Sequence, residues 1–297
     1  MARTVSPEAE KLLDREIRVL DRGFVRLVDY MGGDERIVQA ARVSYGKGTT
    51  TVRRDAALID YLMAHQHTSP FEHVVLEFHC KMPIFVARQW VRHRTARINE
   101  ISGRYSVLED EFYLPPPEQI RRQSRTNRQG RSEEEVPPEL QGRVLEILRR
   151  DQAAAYASYE ELLHDDIARE LARINLPLSL YTQWYWQIDL HNLFHFLKLR
   201  LDPHAQWEIR QYAKALAKCA RAVAPLAFAA FEKHVLHART FSAEEMEALR
   251  RLLAGEPNPL EGEARREFER KLAPPDSDLL GEPATSPPRV TAAGAAG

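Results

Sequence analysis

Alternation of apolar and polar positions marks the clearest element of the chain. Between residues 73 and 82, Val74, Leu76, Phe78, Cys80 and Met82 fall on one face and Glu77, His79 and Lys81 on the other. This is the two-residue period of a half-buried strand. Residues 24–30 alternate in the same way, and the aromatic-rich stretch 178–188 predicts another strand. Residues 104–106 and 111–114 are also strand-like. Helical periodicity appears at 34–44, 55–64, 139–164, 192–200, 205–221 and 225–236. Pro83 suits the first position of a further helix running to about Arg94. Strands and helices do not alternate regularly, so the pattern predicts an α+β domain.

Two stretches break the periodicity. Residues 118–138 are polar and charge-blocked, which predicts a long exposed loop. The chain from 255 onward holds 7 of its 18 prolines and few aromatics. Its composition predicts little burial and hence a largely disordered tail, with a helical turn or two at 261–272. The expected organisation is a catalytic domain over 1–240 and a C-terminal extension over 241–297, largely disordered after Ala254 and not expected to be needed for activity.

The 297 residues include 42 Lys+Arg and 43 Asp+Glu, a net charge of −1, with 44% hydrophobic residues. That balance argues against a generally polybasic, nucleic-acid-coating or membrane-surface protein. No window approaches the roughly 18–20 apolar residues of a membrane span, and the polar N-terminus lacks a secretory h-region. The expectation is a cytoplasmic protein with no membrane or nucleic-acid partner.

The charge is nevertheless unevenly placed. Between Arg88 and Arg104 stand 5 arginines and one glutamate. Such a cluster is relieved by an anionic ligand, and guanidinium forks match phosphate. Gln89, Arg92 and His93 are expected on one side of the helix after Pro83. The polar turn Asn99, Glu100, Ile101, Ser102, Gly103, Arg104 offers amide, carboxylate, hydroxyl and backbone N–H groups suited to a base edge. A second cluster, residues 65–79, brings four histidines together with Ser69 and Glu72, at spacings that match no zinc motif. A third, residues 189–204, places His191 and His195 on one helix face and Arg200 at the helix end, where a cation also suits the macrodipole. Arg173, before a proline stop, is unremarkable alone. No metal site is expected.

Cys80 and Cys219 both fall on apolar faces, where thiols are inert. No GxSxG, Walker A or GxGxxG motif is present, which excludes serine hydrolase, P-loop and dinucleotide-fold readings. A different reading of the arginine-rich span 88–131 is a basic patch that binds RNA or nucleotides, with steep salt dependence and no cofactor.

The run from Arg92 to Tyr105, RHRTARINEISGRY, resembles the signature RHRxxSxNExSxRY of the flavin-dependent thymidylate synthases. Arg97 departs from it, standing where the pattern has a serine. The resemblance extends over roughly 24–223, through HTSPFEH, PIFVARQW, ARINLPLSLYT and LHNLFHFLKLRLDPHAQWEIRQYA. It implies a mixed, largely antiparallel sheet with flanking helices. It also implies an FAD enzyme that methylates dUMP to dTMP, with methylenetetrahydrofolate as carbon donor and NADPH as reductant, working as a homotetramer with active sites at subunit junctions. Carried onto this chain, Gln89, Arg92, Glu100, Ile101, Ser102, Gly103, Arg104, Arg173 and Arg200 look like dUMP contacts, Arg200 stabilising ionised uracil N3. Ser69, Glu72, Arg92, His93, Arg94, Glu100, Asp189, His191 and His195 look like FAD contacts, with His67 and Ser44 nearby.

Overall fold

The computed structural model describes residues 5–43, 52–125, 130–274 and 279–285; Ser44 lies outside them. After a short helix α1 (Pro7–Glu10), strands β1 (Glu16–Val19) and β2 (Gly23–Met31) form a hairpin. Helices α2 (Asp34–Arg42) and α3 (Val52–Ala64) follow, then the 3-10 turn Ser69–His73. Strand β3 (Val75–Pro83) runs into α4 (Ile84–Trp90), which is followed by β4 (Arg97–Glu100). The strands β5 (Arg121–Gln123) and β6 (Arg131–Glu135) precede the long α5 (Pro138–His164) and the short α6 (Arg169–Ala172). Strand β7 (Tyr181–Asp189) leads into α7 (Leu190–Arg200), α8 (Trp207–Val223) and α9 (Pro225–Phe231), which continues as a π turn, Glu232–Leu236. Helices α10 (Ala243–Leu253) and α11 (Gly262–Leu272) belong to the C-terminal extension.

The main sheet has the order β1-β2-β3-β7-β4, and all four pairings are antiparallel. The expected α+β class with a largely antiparallel sheet holds. The two central strands pair over their full length, from Val75 opposite Asp189 to Pro83 opposite Tyr181. Each turns one face inward: Leu76, Phe78, Cys80 and Met82 from β3, and Trp184, Trp186 and Ile188 from β7, are all buried. Helices α4, α7 and α8 pack on that side. The core centres on Trp90, whose ring meets Trp186 at 5.1 Å, Phe196 at 5.0 Å and Tyr212 at 5.9 Å. The Tyr212 hydroxyl donates to the Lys81 carbonyl at 2.9 Å. Gly23 makes this possible, because a Cβ there would stand 2.0 Å from that hydroxyl.

Four local expectations change. The helix after Pro83 ends at Trp90, not near Arg94, and Pro83 is its N-cap. Arg92 N and His93 N then donate to the carbonyls of Gln89 and Trp90, a turn that redirects the chain toward the sheet edge. Residues 104–106 form a turn, and 111–114 contribute only an isolated bridge from Phe112 to Leu180. Strands β1 and β4 are not among the expected ones; the four residues of β4 are all exposed, so no alternation marks it.

The expected loop 118–138 contains the β5–β6 hairpin, held by Arg131 to Glu208 on α8. Glu208 is buried and also accepts from the Tyr113 hydroxyl at 3.0 Å, so a cation must follow it into the interior. Among the described residues beyond Ala254, Gly262–Leu272 form the full helix α11 where the composition predicts a turn or two. Phe268 on α11 is fully buried against Phe241, and Lys271 pairs with Glu245 at 2.7 Å. Residues 279–285 return to the sheet edge, where Leu20 N donates to the Ala284 carbonyl at 2.8 Å.

Cys80 and Cys219 are fully buried, and burial raises both thiols, Cys219 to about 12. The double variant Cys80→Ala, Cys219→Ala is expected to keep near wild-type activity. Its denaturant midpoint should fall by the equivalent of about 1–3 kcal/mol, the scale of two small core cavities. A folded but inactive double variant would contradict the inert role.

Candidate functional site

The aromatic core carries the site on its surface. Trp90 fixes the end of α4, and the chain then presents Arg92, His93 and Arg94 beside the start and outer face of α7. Asp189 caps α7: its carboxylate accepts from Asn192 N at 2.9 Å and from Asn192 Nδ2 at 2.8 Å. Five of the predicted residues, Arg92, His93, Arg94, His191 and His195, meet Arg200 in one cleft of about 570 Å³, with Ile188 and Leu199 as its apolar lining. That volume is in the range of small-molecule sites.

Arg200 is half-buried and gripped from below. Its Nε donates to His93 Nε2 at 3.0 Å, and its Nη2 reaches the Gln89 carbonyl at 3.4 Å. Burial lowers the guanidinium from its ordinary value, yet arginine stays charged at any working pH. His93 must be unprotonated at Nε2 to accept this bond, so its proton sits on Nδ1. Burial, then the neighbouring Arg200 and His195, lower it from 6.5 to about 4. The Phe196 ring lies 4.7 Å from the imidazole and ties it to the core.

Among the described residues, Arg92, Arg94, Arg173 and Arg200 make no ion pair with a carboxylate. Gln89 donates through Nε2 to Gln206 Oε1. Gln206 is a residue that sequence reasoning missed; its partner is 117 positions away, and no local spacing signals it.

The remaining predicted dUMP contacts form a separate group at the far end of β4. Ile101 N donates to the Gln183 carbonyl at 3.0 Å, and Glu100 accepts from the Thr182 hydroxyl at 2.6 Å. Ser102 closes the turn: its carbonyl accepts from Tyr105 N and Ser106 N, and its hydroxyl from Arg104 N at 3.3 Å. Gly103 is buried against Arg173; a Cβ on it would stand 3.1 Å from Arg173 Cδ and 2.9 Å from Leu108. Glycine at this position therefore joins Arg173 to the turn. Arg104 pairs with Glu170 at 3.1 Å. Arg97, the departure from the signature, lies across from Gln187 and donates to its side chain at 3.0 Å, which fastens the edge strand.

The histidine cluster 65–79 divides as well. His67 lines a second cavity that shares His191 and His195 with the cleft. Ser69 and Glu72 are exposed on the 3-10 turn that packs on α7. His79 points to the polar sheet face, stacked on Tyr185 at 4.9 Å. Among the described residues no group of three His, Cys, Asp or Glu side chains could hold a metal ion.

A cleft lined by arginines and histidines, on an antiparallel sheet with flanking helices, has the chemistry that suits an anionic small molecule. The family described as "Thymidylate synthase complementing protein" matches residues 26–226, and the "Thymidylate synthase ThyX C-terminal domain" matches 240–274. The flavin-dependent thymidylate synthase of Treponema denticola is 62% identical over 260 residues, covering 88% of this chain and 98% of that protein. That of Thermus thermophilus is 62% identical over 240 residues, covering 81% and 87%. Among solved structures, the UMP/dUMP methylase PolB from Streptomyces cacaoi, bound with 5-Br dUMP, is similar with a TM-score of 0.67 at 31% identity over 74% of this chain and 99% of that one. The chain belongs to the flavin-dependent thymidylate synthases.

The His93 geometry predicts a pH dependence. The unfolded imidazole takes up a proton near 6.5 and the folded one only near 4. Its contribution to stability is therefore complete above 6.5 and declines as the pH falls through that window. Urea midpoints of the wild type and His93→Gln, compared at pH 7 and pH 5, should show a smaller acid loss in the variant. An equal loss in both would contradict the buried neutral assignment.

Proposed function

We propose that this chain methylates dUMP to dTMP in the cleft over α7, with methylenetetrahydrofolate as carbon donor and NADPH as reductant. The observation that carries the reading is the half-buried Arg200 guanidinium, held by a neutral histidine and set among arginines without carboxylate partners. Flavin dependence and dUMP methylation are named for the relatives, and this chain's donor set fits both ligands.

For the flavin, the unpaired Arg92 and Arg94 suit a pyrophosphate, His191, Asn192 and His195 offer ring and amide donors, and Ile188 and Leu199 give apolar contact. FAD bound there would supply the redox chemistry, with the protein contributing orientation and charge. Ser69 and Glu72 would bind from the neighbouring turn. Asp189 would act through its cap on α7, which aims His191 and His195.

For dUMP, Arg92, at the edge of the flavin site, would hold the phosphate, and the turn Glu100 to Arg104 with Arg173 would read the remainder of the nucleotide. Uracil C5 must become nucleophilic, and both thiols are buried and raised, so no thiolate is available to add at C6. Arg200 would stabilise the ring once N3 has given its proton to water, and the more electron-rich anionic ring is the better nucleophile at C5. It acts as a fixed cation and not as the base. The bond to His93 leaves Arg200 Nη1 without a protein hydrogen bond among the described residues.

The two groups of candidate dUMP contacts lie at opposite ends of β4. That division suits a site completed by a second copy of the chain, in keeping with the homotetramer expected for the family. A cytoplasmic location is part of the same reading; among the described residues no helix is long and apolar enough to cross a membrane. The RNA-binding alternative is not favoured, because Arg131 is spent on the buried Glu208 and Arg97 on Gln187.

Arg200→Ala is expected to reduce dTMP formation by at least about a hundredfold, the scale of losing one preorganised electrostatic group, while the purified variant keeps its flavin. The check is a dTMP assay with dUMP, methylenetetrahydrofolate and NADPH, alongside the flavin-to-protein ratio. Full activity would overturn the assignment.

A further inference from the structure

We infer that the C-terminal extension and the end of α7 build an anion-accepting cavity that holds the charged end of a co-substrate lying along α7. This rests on the reading of the chain as a dUMP methyltransferase with two anionic co-substrates.

Three cavities follow one another along the outer face of α7. The cleft and its neighbour share His191 and His195. That neighbour shares Lys198, Val235, Ala238 and Thr240 with a third cavity of about 540 Å³, and the third shares Leu199 with the cleft. His191, His195 and Lys198 or Leu199 are spaced by three and four residues, so they follow one another along a helix face. The cavities therefore form one groove that begins at Arg92 and Arg200 and ends against α11.

The far end of the groove is basic. Lys198, Arg239, Arg270 and Lys271 line it against two carboxylates, Asp202 and Glu267, among the described residues. Lys271 is occupied by Glu245. Arg270 pairs with Glu267 within one exposed helix turn, a contact of little strength that a ligand can displace. Lys198 and Arg239 make no ion pair among the described residues. The wall they face is fixed, because α11 is anchored by the buried Phe268 and by Lys271 on the capping glutamate of α10. A phosphate or a carboxylate chain is the chemistry such a pair of cations takes. Its position at the end of a groove that starts in the flavin cleft suits an elongated molecule whose reactive end lies in that cleft. Two co-substrates carry such a group: NADPH its 2′-phosphate, and the folate its glutamyl chain.

The test is steady-state dTMP formation by the flavin-loaded enzyme with Arg239→Ala and Arg270→Ala, and with Arg239→Lys as the charge-conserving control. NADPH is compared with NADH, and monoglutamyl with pentaglutamyl methylenetetrahydrofolate. The expected result is a rise of about tenfold in KM for one anionic co-substrate, the scale of one charge-assisted contact. kcat and the KM for dUMP should stay unchanged, and the lysine variant should retain most of the affinity. Lost discrimination between NADPH and NADH assigns the 2′-phosphate; lost preference for pentaglutamate assigns the glutamyl chain. Should an extension variant not fold, Lys198→Ala on the opposite wall carries the same expectation. An active wild type whose folded variants keep every KM and both preferences overturns the inference. A flavin-loaded wild type that forms no dTMP overturns the proposed function instead.

Discussion

The hydrogen bond from Arg200 to His93 joins the chemistry of this protein to its core. A guanidinium that is half out of water costs free energy unless it is hydrogen-bonded and faces an anion. Here a neutral imidazole and the Gln89 carbonyl meet two of its nitrogens, and no carboxylate neutralises it. The imidazole packs on Phe196, which packs on Trp90 and Trp186, so the cation rests on a rigid aromatic base and not on a mobile loop. The full pairing of β3 with β7 supplies that base. Preorganised charge above a dry support is the arrangement in which electrostatic stabilisation of an anion is most effective.

Much of this was legible in the sequence because its signals are local. Strand β3 is written in its alternation and the inert thiols in their apolar rows, whereas the start of α7 at Leu190, capped by Asp189, falls two residues before the periodicity at 192–200. The arginine cluster announces an anion without any knowledge of the fold. What stayed hidden depends on distant partners. Strand β4 exists because Arg97, Ile98, Asn99 and Glu100 find β7, not because they alternate. The helix after Pro83 stops at Trp90 because that ring must enter the core while Arg92 must leave it. Gln206 meets Gln89, and Glu208 draws Arg131 and its hairpin inward, across separations that no window spans.

The extension shows the same limit from the other side. Proline and charge in the tail point away from burial, yet Phe268 is buried against Phe241 within the extension, Leu279 joins the main cluster, and the Ala284 carbonyl accepts from Leu20 N just after β1. Composition reports what a segment can bury by itself, not what it can bury against a neighbour. Together α7 and α11 turn the helix that carries His191, His195 and Arg200 into the floor of a long groove.

The central claim is that one cleft brings a flavin and dUMP together under the control of Arg200. Its most direct test is the absorption spectrum of the purified protein with and without dUMP. The account predicts a yellow protein with a flavin band near about 450 nm that shifts when dUMP is added. A colourless protein that takes up no FAD, or a flavin band indifferent to saturating dUMP, would contradict it.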